Sequence, residues 1–103
     1  MAYSVVVTRS AQDDLDAILS YVITELCNPS AAALLLDEVE RHYDILSNTP
    51  LIYAECVQPL LRASHYRKIV LAGYLMIYRV DTERKIVYVE RFFSGLQDYE
   101  KKL

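Results

Sequence analysis

Residues 66–93 read Y-R-K-I-V-L-A-G-Y-L-M-I-Y-R-V-D-T-E-R-K-I-V-Y-V-E-R-F-F, and they carry the clearest strand signals in the chain. Three runs rich in β-branched and aromatic residues, at 66–71, 74–80 and 85–93, predict three strands. Ala72-Gly73 separates the first two runs, and the polar loop 81–84 separates the second from the third. Because connections this short join antiparallel neighbours, the stretch predicts a three-strand meander.

The residues before the meander predict one further strand and two helices. The run 3–8, Y-S-V-V-V-T, has the composition of a strand. Apolar residues then recur at spacings of three and four over residues 10–27, with Ser10 as the expected N-cap and Asp13 three residues later. Asn28-Pro29 signals a new helix start, so a second helix is expected over 30–47. Two helices joined so closely are expected to pack as a hairpin.

This order of elements predicts an α+β fold. An N-terminal strand, a helical hairpin and an antiparallel three-strand meander are expected to form one sheet with the helices on one face. The last run is apolar at both parities, which predicts a sheet covered on one face and at least partly covered on the other. A single domain is expected over residues 1–103. Residues 50–65 are expected to form a loop with a short strand near 60–64, and residues 98–103 a short helical tail.

Composition excludes several classes of protein. Hydrophobic residues make up 53% of the chain and charged residues 24%, which is not the composition of a disordered tail. A bilayer span needs roughly 20 apolar residues, and the chain has no such run; no membrane contact is expected. No basic segment precedes the apolar run at the N-terminus, so we expect a cytoplasmic protein. Cys27 and Cys56 are expected to be reduced thiols, with a single bridge between them as the alternative.

The net charge of −3 hides an asymmetry between the two halves of the chain. Two basic residues against eight acids give −6 over residues 1–54, and nine against six give +3 over residues 55–103. We interpret the acids of the first helix, Asp13, Asp14 and Asp16, as solvated side chains near the positive end of that helix. The overall acidity disfavours a protein that binds through many phosphate contacts.

Most kinds of catalytic or cofactor site are missing from the sequence. With two glycines in the whole chain there is no phosphate-binding glycine loop, and neither HExxH, CxxC nor G-x-S-x-G occurs. The two cysteines and two histidines are not at metal-ligand spacing. We therefore expect no cofactor and no metal. His42 falls on the apolar stripe of the second helix and is interpreted as a core or interface histidine.

The meander holds the candidate chemistry. His65, Arg67 and Lys68 begin its first strand, and Arg79 and Arg91 end the next two. A hairpin brings Arg67 and Arg79 to one end of the sheet, where neighbouring strands lie about 4.8 Å apart. Converging cations suit a phosphodiester, because they stabilise the charge that develops on phosphorus while His or Tyr moves protons. The alternative is that strand ends carry solubilising charge that protects the sheet edges.

Several stretches resemble the RelE/ParE superfamily of toxins from type II toxin–antitoxin systems, also called plasmid-stabilisation proteins. Residues 5–22 match the family's opening strand and its A-x-x-D-L-x-x-I-x-x-Y helix, from Ala11 to Tyr21. Residues 66–81 resemble its central R-x-x-x-x-x-x-Y-x-I-x-Y-x-V hairpin, through Arg67, Tyr74 and Tyr78. Residues 86–99 resemble its last strand and tail, through Gly95, Asp98 and Tyr99. The resemblance covers nearly the whole chain.

The resemblance implies a toxin that arrests growth until a cognate antitoxin wraps it. RelE-like members cut messenger RNA on the ribosome without a metal, whereas ParE-like members poison DNA gyrase. If the chain is a ribonuclease, we expect Arg67 and Lys68 as phosphate binders, Arg91 as the transition-state stabiliser, and His65 or Tyr99 as the proton carrier. This chain has Phe92-Phe93 where some ribonuclease members have His-Tyr. The alternative to an active toxin is a non-catalytic protein-binding module with a degenerate toxin fold. In either case, a homodimer is one option for the assembly.

Overall fold

The computed structural model describes residues 2–53 and 65–94. Within these ranges, four strands and two helices follow one another in the order expected from the sequence. The bounds are β1 Ser4–Val7, α1 Arg9–Thr24, α2 Pro29–Asn48, β2 Arg67–Leu71, β3 Tyr74–Asp81 and β4 Ile86–Ser94. The strand expected near 60–64 and the helical tail expected over 98–103 lie outside the described residues.

The strands form one mixed sheet in the order β1-β4-β3-β2. β2, β3 and β4 are the predicted antiparallel meander, and β1 joins its far side parallel to β4, with Ser4 opposite Ile86. The β2–β3 hairpin turns through Ala72 and Gly73, whose φ angles of 49° and 86° are both positive. Two such residues in a two-residue loop are typical of a type I′ turn, which matches the twist of the strands that it joins. The α+β fold class is confirmed.

The N-cap of α1 lies two residues before the expected one. Thr8 is the N-cap, and its side-chain oxygen accepts a hydrogen bond from the Ala11 N–H at 3.1 Å. The expectation that Ser10 caps this helix is therefore wrong. Thr8 is favoured as the N-cap because its hydroxyl also donates to the Glu90 carbonyl of β4 at 3.0 Å. This long-range contact cannot be predicted from the local sequence. The second helix starts as expected, with Asn28 accepting from the Ala31 N–H at 3.1 Å and Pro29 at the first helical position.

Both helices pack on the same face of the sheet. The main core joins apolar residues of α1 and α2 to alternate residues of all four strands, and Met76, Tyr78, Val87 and Val89 are completely buried in it. The buried His42 belongs to this layer of α2, and its Nδ1 lies 2.8 Å from the Glu38 carbonyl oxygen. Because a carbonyl only accepts, Nδ1 is the protonated nitrogen. The interpretation of His42 as a core histidine is confirmed.

The opposite face of the sheet is also partly covered. A second buried cluster contains Leu75, Ile77 and Phe93, with Tyr66 packed against it. This agrees with the prediction drawn from apolar residues at both parities of the last strand. Neither helix within residues 2–53 and 65–94 is long and apolar enough to cross a bilayer.

Candidate functional site

A β-bulge in β4 decides which side chains reach the second face of the sheet. Ile77 lies opposite Arg91 and Tyr78 opposite Val89, so Glu90 is an extra residue without a partner in β3. The bulge shifts the alternation of side chains by one residue. Val87, Val89 and Phe92 consequently face the helices, whereas Arg91 faces the other way beside Phe93.

Three strands place a row of side chains across this face. Lys68 of β2 and Arg91 of β4 are both cross-strand partners of Ile77, so the three residues lie side by side. With strands about 4.8 Å apart, the backbones of Lys68 and Arg91 are separated by roughly 10 Å. Arg79 lies two residues further along β3, opposite Tyr88. We call the surface formed by Lys68, Ile77, Arg79, Tyr88 and Arg91 the second face.

Arg67 does not join this row. It lies opposite Tyr78, a residue of the main core, so its side chain is on the face that carries the helices. There its guanidinium donates to the Tyr53 carbonyl. Successive residues of a strand point to opposite faces, and adjacent Arg67 and Lys68 therefore cannot bind one phosphate from the same face. The expected hairpin geometry does hold, because Arg67 and Arg79 are at the same end of the β2–β3 pair.

Arg91 is held in a bidentate ion pair by Asp14 of α1. Its Nε lies 2.6 Å from Asp14 Oδ2, and its Nη2 lies 3.2 Å from Oδ1. Asp14 Oδ2 also accepts from the Phe92 N–H at 3.1 Å, and the Arg91 guanidinium lies 5.0 Å from the Phe93 ring. The hydrogen bonds that the Arg91 guanidinium donates to Asp14 raise the pKa of Arg91 above its ordinary value. The interpretation of Asp14 as a solvated acid is wrong, because its side chain is only 19% exposed and is fully engaged.

Arg79 also has an acidic neighbour and an aromatic one. Its Nε lies 3.7 Å from Glu90 Oε2, and its guanidinium lies 4.2 Å above the centre of the Tyr88 ring. The bulge residue Glu90 thus compensates the charge of Arg79. Both arginines of the second face are therefore paired with carboxylates.

Arg91 separates two shallow clefts. One has a volume of about 260 Å³ and is lined by Thr8, Ser10, Tyr66, Glu90 and Arg91. The other, of about 230 Å³, lies between α1 and the end of β4 beside Phe93. Within residues 2–53 and 65–94, no group of three or more histidine, cysteine or acidic side chains is arranged to hold a metal ion.

The remaining predicted residues are placed as follows. His65 is exposed and precedes β2 with a positive φ of 59°. Tyr99 lies outside the described residues, as does Cys56, and Cys27 is a free, exposed thiol. Asp14 and Glu90, which determine the charge of the second face, were missed by sequence reasoning. Asp14 stands 77 residues before Arg91, and no local pattern signals a pair so distant in sequence.

Comparison with known proteins gives the family. The model of the family described as ParE toxin of type II toxin–antitoxin system, parDE, matches residues 5–99. The chain belongs to the ParE toxin family. A search of curated protein sequences found no significant match. The match confirms the resemblance to the RelE/ParE superfamily that the sequence motifs indicated.

Solved structures show that this ParE-family toxin shares its fold with both branches of the superfamily. A chain of the chromosomal ParDE system from P. aeruginosa has a TM-score of 0.70 at 21% identity, covering 92% of this chain and 98% of that one. One from the RelBE2 complex of Mycobacterium tuberculosis has a TM-score of 0.62 at 21% identity, covering 91% and 99%. One from the E. coli RelBE complex has a TM-score of 0.62 at 18% identity, covering 93% and 100%.

Proposed function

We propose that this ParE-family toxin arrests growth in the cytoplasm by binding DNA gyrase, and that a cognate antitoxin holds it inactive until it is released. The similar ParDE and RelBE structures are toxin–antitoxin systems or complexes, which supports an antitoxin as the partner. The match to the ParE toxin family supports gyrase as the target, because the resemblance implies that ParE-like members poison gyrase.

The choice of gyrase over messenger RNA as the target rests on how the charges of the second face are paired. Metal-independent cleavage of RNA needs cations whose charge is available to the developing charge on phosphorus. Here Asp14 holds Arg91 and Glu90 neighbours Arg79, while Arg67 lies on the other side of the sheet. A face of paired charges and aromatic rings is better suited to binding a protein surface than to cutting a phosphodiester.

The test is induced expression of the toxin alone, with three readouts taken together. Growth, primer-extension mapping of messenger RNA and a DNA-damage reporter are followed in the same culture. We expect growth arrest with a rising reporter and no new cuts inside translated codons. New cuts inside codons would instead establish a ribonuclease with Arg67, Lys68, Arg91, His65 and Tyr99 as its candidate residues. Normal growth would favour a protein-binding module without toxicity.

Two variants separate the first two outcomes. Lys68→Ala removes the cation that neighbours Arg91 across Ile77, and a ribonuclease would lose cleavage with it. The matched control is Arg84→Ala, in the loop between β3 and β4, where the side chain is 76% exposed and pairs with Asp81. If the toxin poisons gyrase, messenger RNA stays intact in the wild type and in both variants. Purified gyrase should also form stabilised cleavage complexes in the presence of the wild-type protein.

A further inference from the structure

Two acids beside the second face come from unrelated parts of the chain. Asp14 reaches Arg91 from α1, whereas Glu90 is the bulge residue of β4 and lies near Arg79. Regular alternation would direct the consecutive residues Glu90 and Arg91 to opposite faces of the sheet. The bulge instead brings both of them to the cleft of about 260 Å³ beside the second face. We call Asp14 and Glu90 the paired acids.

Asp14 binds the guanidinium of Arg91 as a phosphate group would. Its two carboxylate oxygens lie 2.6 Å from Nε and 3.2 Å from Nη2, the two-point geometry with which arginine also holds phosphate. The Phe92 N–H, 3.1 Å from Oδ2, holds the carboxylate in place. A tethered partner acts at an effective concentration of about millimolar or higher. A phosphate from outside must therefore displace Asp14 before it can bind Arg91.

The pair formed by Glu90 and Arg79 is too long to be explained by stability. Arg79 Nε and Glu90 Oε2 lie 3.7 Å apart, and the Arg79 side chain is 41% exposed. Ion pairs of this kind contribute little to folding, because water screens them. The main effect of Glu90 is on the charge of the cleft that it lines together with Arg91.

The paired acids determine how much positive charge the second face presents. Its three cations, Lys68, Arg79 and Arg91, lie on three neighbouring strands. Two carboxylates leave a single net positive charge, whereas without them the face would carry three. Proteins that bind single-stranded nucleic acid combine a cationic surface with aromatic rings, and Tyr66 and Tyr88 supply such rings here. Apart from the paired acids, the second face has the composition of an RNA-binding surface.

We propose that Asp14 and Glu90 set the specificity of the second face by excluding single-stranded RNA from its cations. This rests on the proposed function, because only a toxin directed at a protein requires RNA to be kept off this face. Asp14 occupies the phosphate-binding geometry of Arg91, and Glu90 repels phosphate from the adjoining cleft. A protein surface that is not a polyanion meets neither obstacle, so the acids discriminate between the two classes of partner.

The test measures RNA binding by the whole toxin. The probe is a fluorescein-labelled oligouridylate of about 12 nucleotides, followed by fluorescence anisotropy, which spans the usual site size of such proteins. We expect Asp14→Asn and Glu90→Gln each to bind it about 5- to 10-fold more tightly than the wild type at about 50 mM salt. Each arginine that takes up one phosphate should also steepen the dependence of log K on log salt by about 0.7.

Two further variants identify the source of the gain. Asp13→Asn removes the same charge from α1, and its side chain is 68% exposed and pairs with Arg9 instead. Its affinity for RNA should stay within about 2-fold of the wild type, since an exposed charge away from the bound strand is screened by salt. Adding Arg91→Gln to Asp14→Asn should return the affinity to the wild-type level, because the gain comes from that guanidinium.

Three results would overturn the proposal. The first is an equal gain for Asp13→Asn, which would show that the net charge of the chain sets the affinity. The second is no gain for Asp14→Asn and Glu90→Gln, and the third is a gain that persists after Arg91→Gln is added. Circular dichroism checks that each variant is folded. If Asp14→Asn does not fold, Glu90→Gln decides the outcome, since loss of its long, solvated ion pair leaves the fold intact.

A gyrase assay distinguishes failure of this proposal from failure of the proposed function. If the wild-type toxin stabilises gyrase cleavage complexes but neither acid variant gains RNA affinity, the paired acids do not set specificity and the proposed function stands. If both variants gain RNA affinity but the wild type has no effect on gyrase, the paired acids exclude RNA and gyrase is not the target.

Discussion

Single residues decide how α1 is attached to the sheet. Asp14 accepts two hydrogen bonds from the Arg91 guanidinium and one from the Phe92 N–H, so one carboxylate fixes both the side chain and the backbone of β4. Hydrogen bonds to a charged partner contribute more than neutral ones. The pair therefore acts as the link between the N-terminal helix and the last strand.

The first prediction concerns this link. Asp14→Asn should lower the free energy of unfolding by about 1.5–3 kcal/mol, because Arg91 loses its charged partner. Urea denaturation of the two proteins measures the difference. Asp13→Asn is the control, because the Asp13 side chain is 68% exposed. This substitution should change the free energy of unfolding by no more than about 0.5 kcal/mol. Equal unfolding curves for wild type and Asp14→Asn would show that the pair contributes nothing to stability.

The side chain of Tyr43 buries a hydroxyl group that makes no hydrogen bond within the described residues. Its hydroxyl is enclosed and has no hydrogen-bond partner in the described chain. Leaving such a group unsatisfied has a cost in free energy, which phenylalanine avoids while keeping the ring. Tyr43→Phe should therefore raise the free energy of unfolding by about 1 kcal/mol at neutral pH. A loss of stability in thermal or urea unfolding would contradict this account.

The same hydroxyl predicts a dependence on pH. Burial, together with the charge of Glu40, raises the pKa of Tyr43 from 10.0 to about 12. The folded protein then holds a proton that the unfolded chain releases, so stability falls as pH rises between these two values. Unfolding measured from pH 9 to pH 12 should show a steeper loss for the wild type than for Tyr43→Phe. Parallel curves would mean that Tyr43 ionises equally in both states.

At the scale of elements, the start of α1 depends on a contact with another strand. Thr8 caps the helix and donates to the Glu90 carbonyl of the bulge, whereas the expected cap, Ser10, is exposed within the first turn. Sequence statistics rank serine above threonine as an N-cap, so local preference alone favours Ser10. The tertiary hydrogen bond selects Thr8.

This choice of N-cap predicts unequal losses of stability for two similar substitutions. Thr8→Ala should destabilise the protein by about 1–2 kcal/mol, because it removes both the cap and the bond to β4. Ser10→Ala should change stability by less than about 0.5 kcal/mol. Thermal unfolding followed by circular dichroism compares the two. If Ser10→Ala were the more damaging change, the helix would begin where the sequence alone places it.

At the scale of the whole molecule, the centre of the sheet is buried on both faces, although the described helices pack on only one. Met76 and Ile77 are adjacent in β3 and face opposite sides, yet both are fully buried. In contrast, Val70 in the edge strand β2 is 63% exposed. The second face is thus a structural layer as well as the proposed binding surface.

Alanine substitutions test whether both layers stabilise the fold. Met76→Ala and Ile77→Ala should each cost about 2–5 kcal/mol, as is usual for large apolar residues truncated in a packed core. Val70→Ala should cost less than about 0.5 kcal/mol, since its side chain is already solvated. Chemical denaturation of the three variants provides the comparison. A small effect for Ile77→Ala alone would indicate that the second face is loosely covered.

The elements, their order and the family could all be predicted from the sequence. These features have local signals: strand and helix periodicity, the Asn28-Pro29 helix start and the two-residue turn at Ala72-Gly73. Interactions between residues close in sequence are sufficient to produce them. The buried position of His42 also followed from its place on an apolar stripe. Whole-chain motif order was enough to indicate the RelE/ParE superfamily.

The chemistry that the candidate residues can perform depends on contacts that form only in the folded protein. The bulge at Glu90 moves Arg91 to the second face, strand alternation separates Arg67 from Lys68, and Asp14 binds Arg91 across 77 residues of sequence. None of these has a local signature, because each depends on the register between strands or on how a distant helix packs. Residue type and spacing were enough to suggest which cations could form a site. Which carboxylates pair with them depends on how the sheet and α1 pack together.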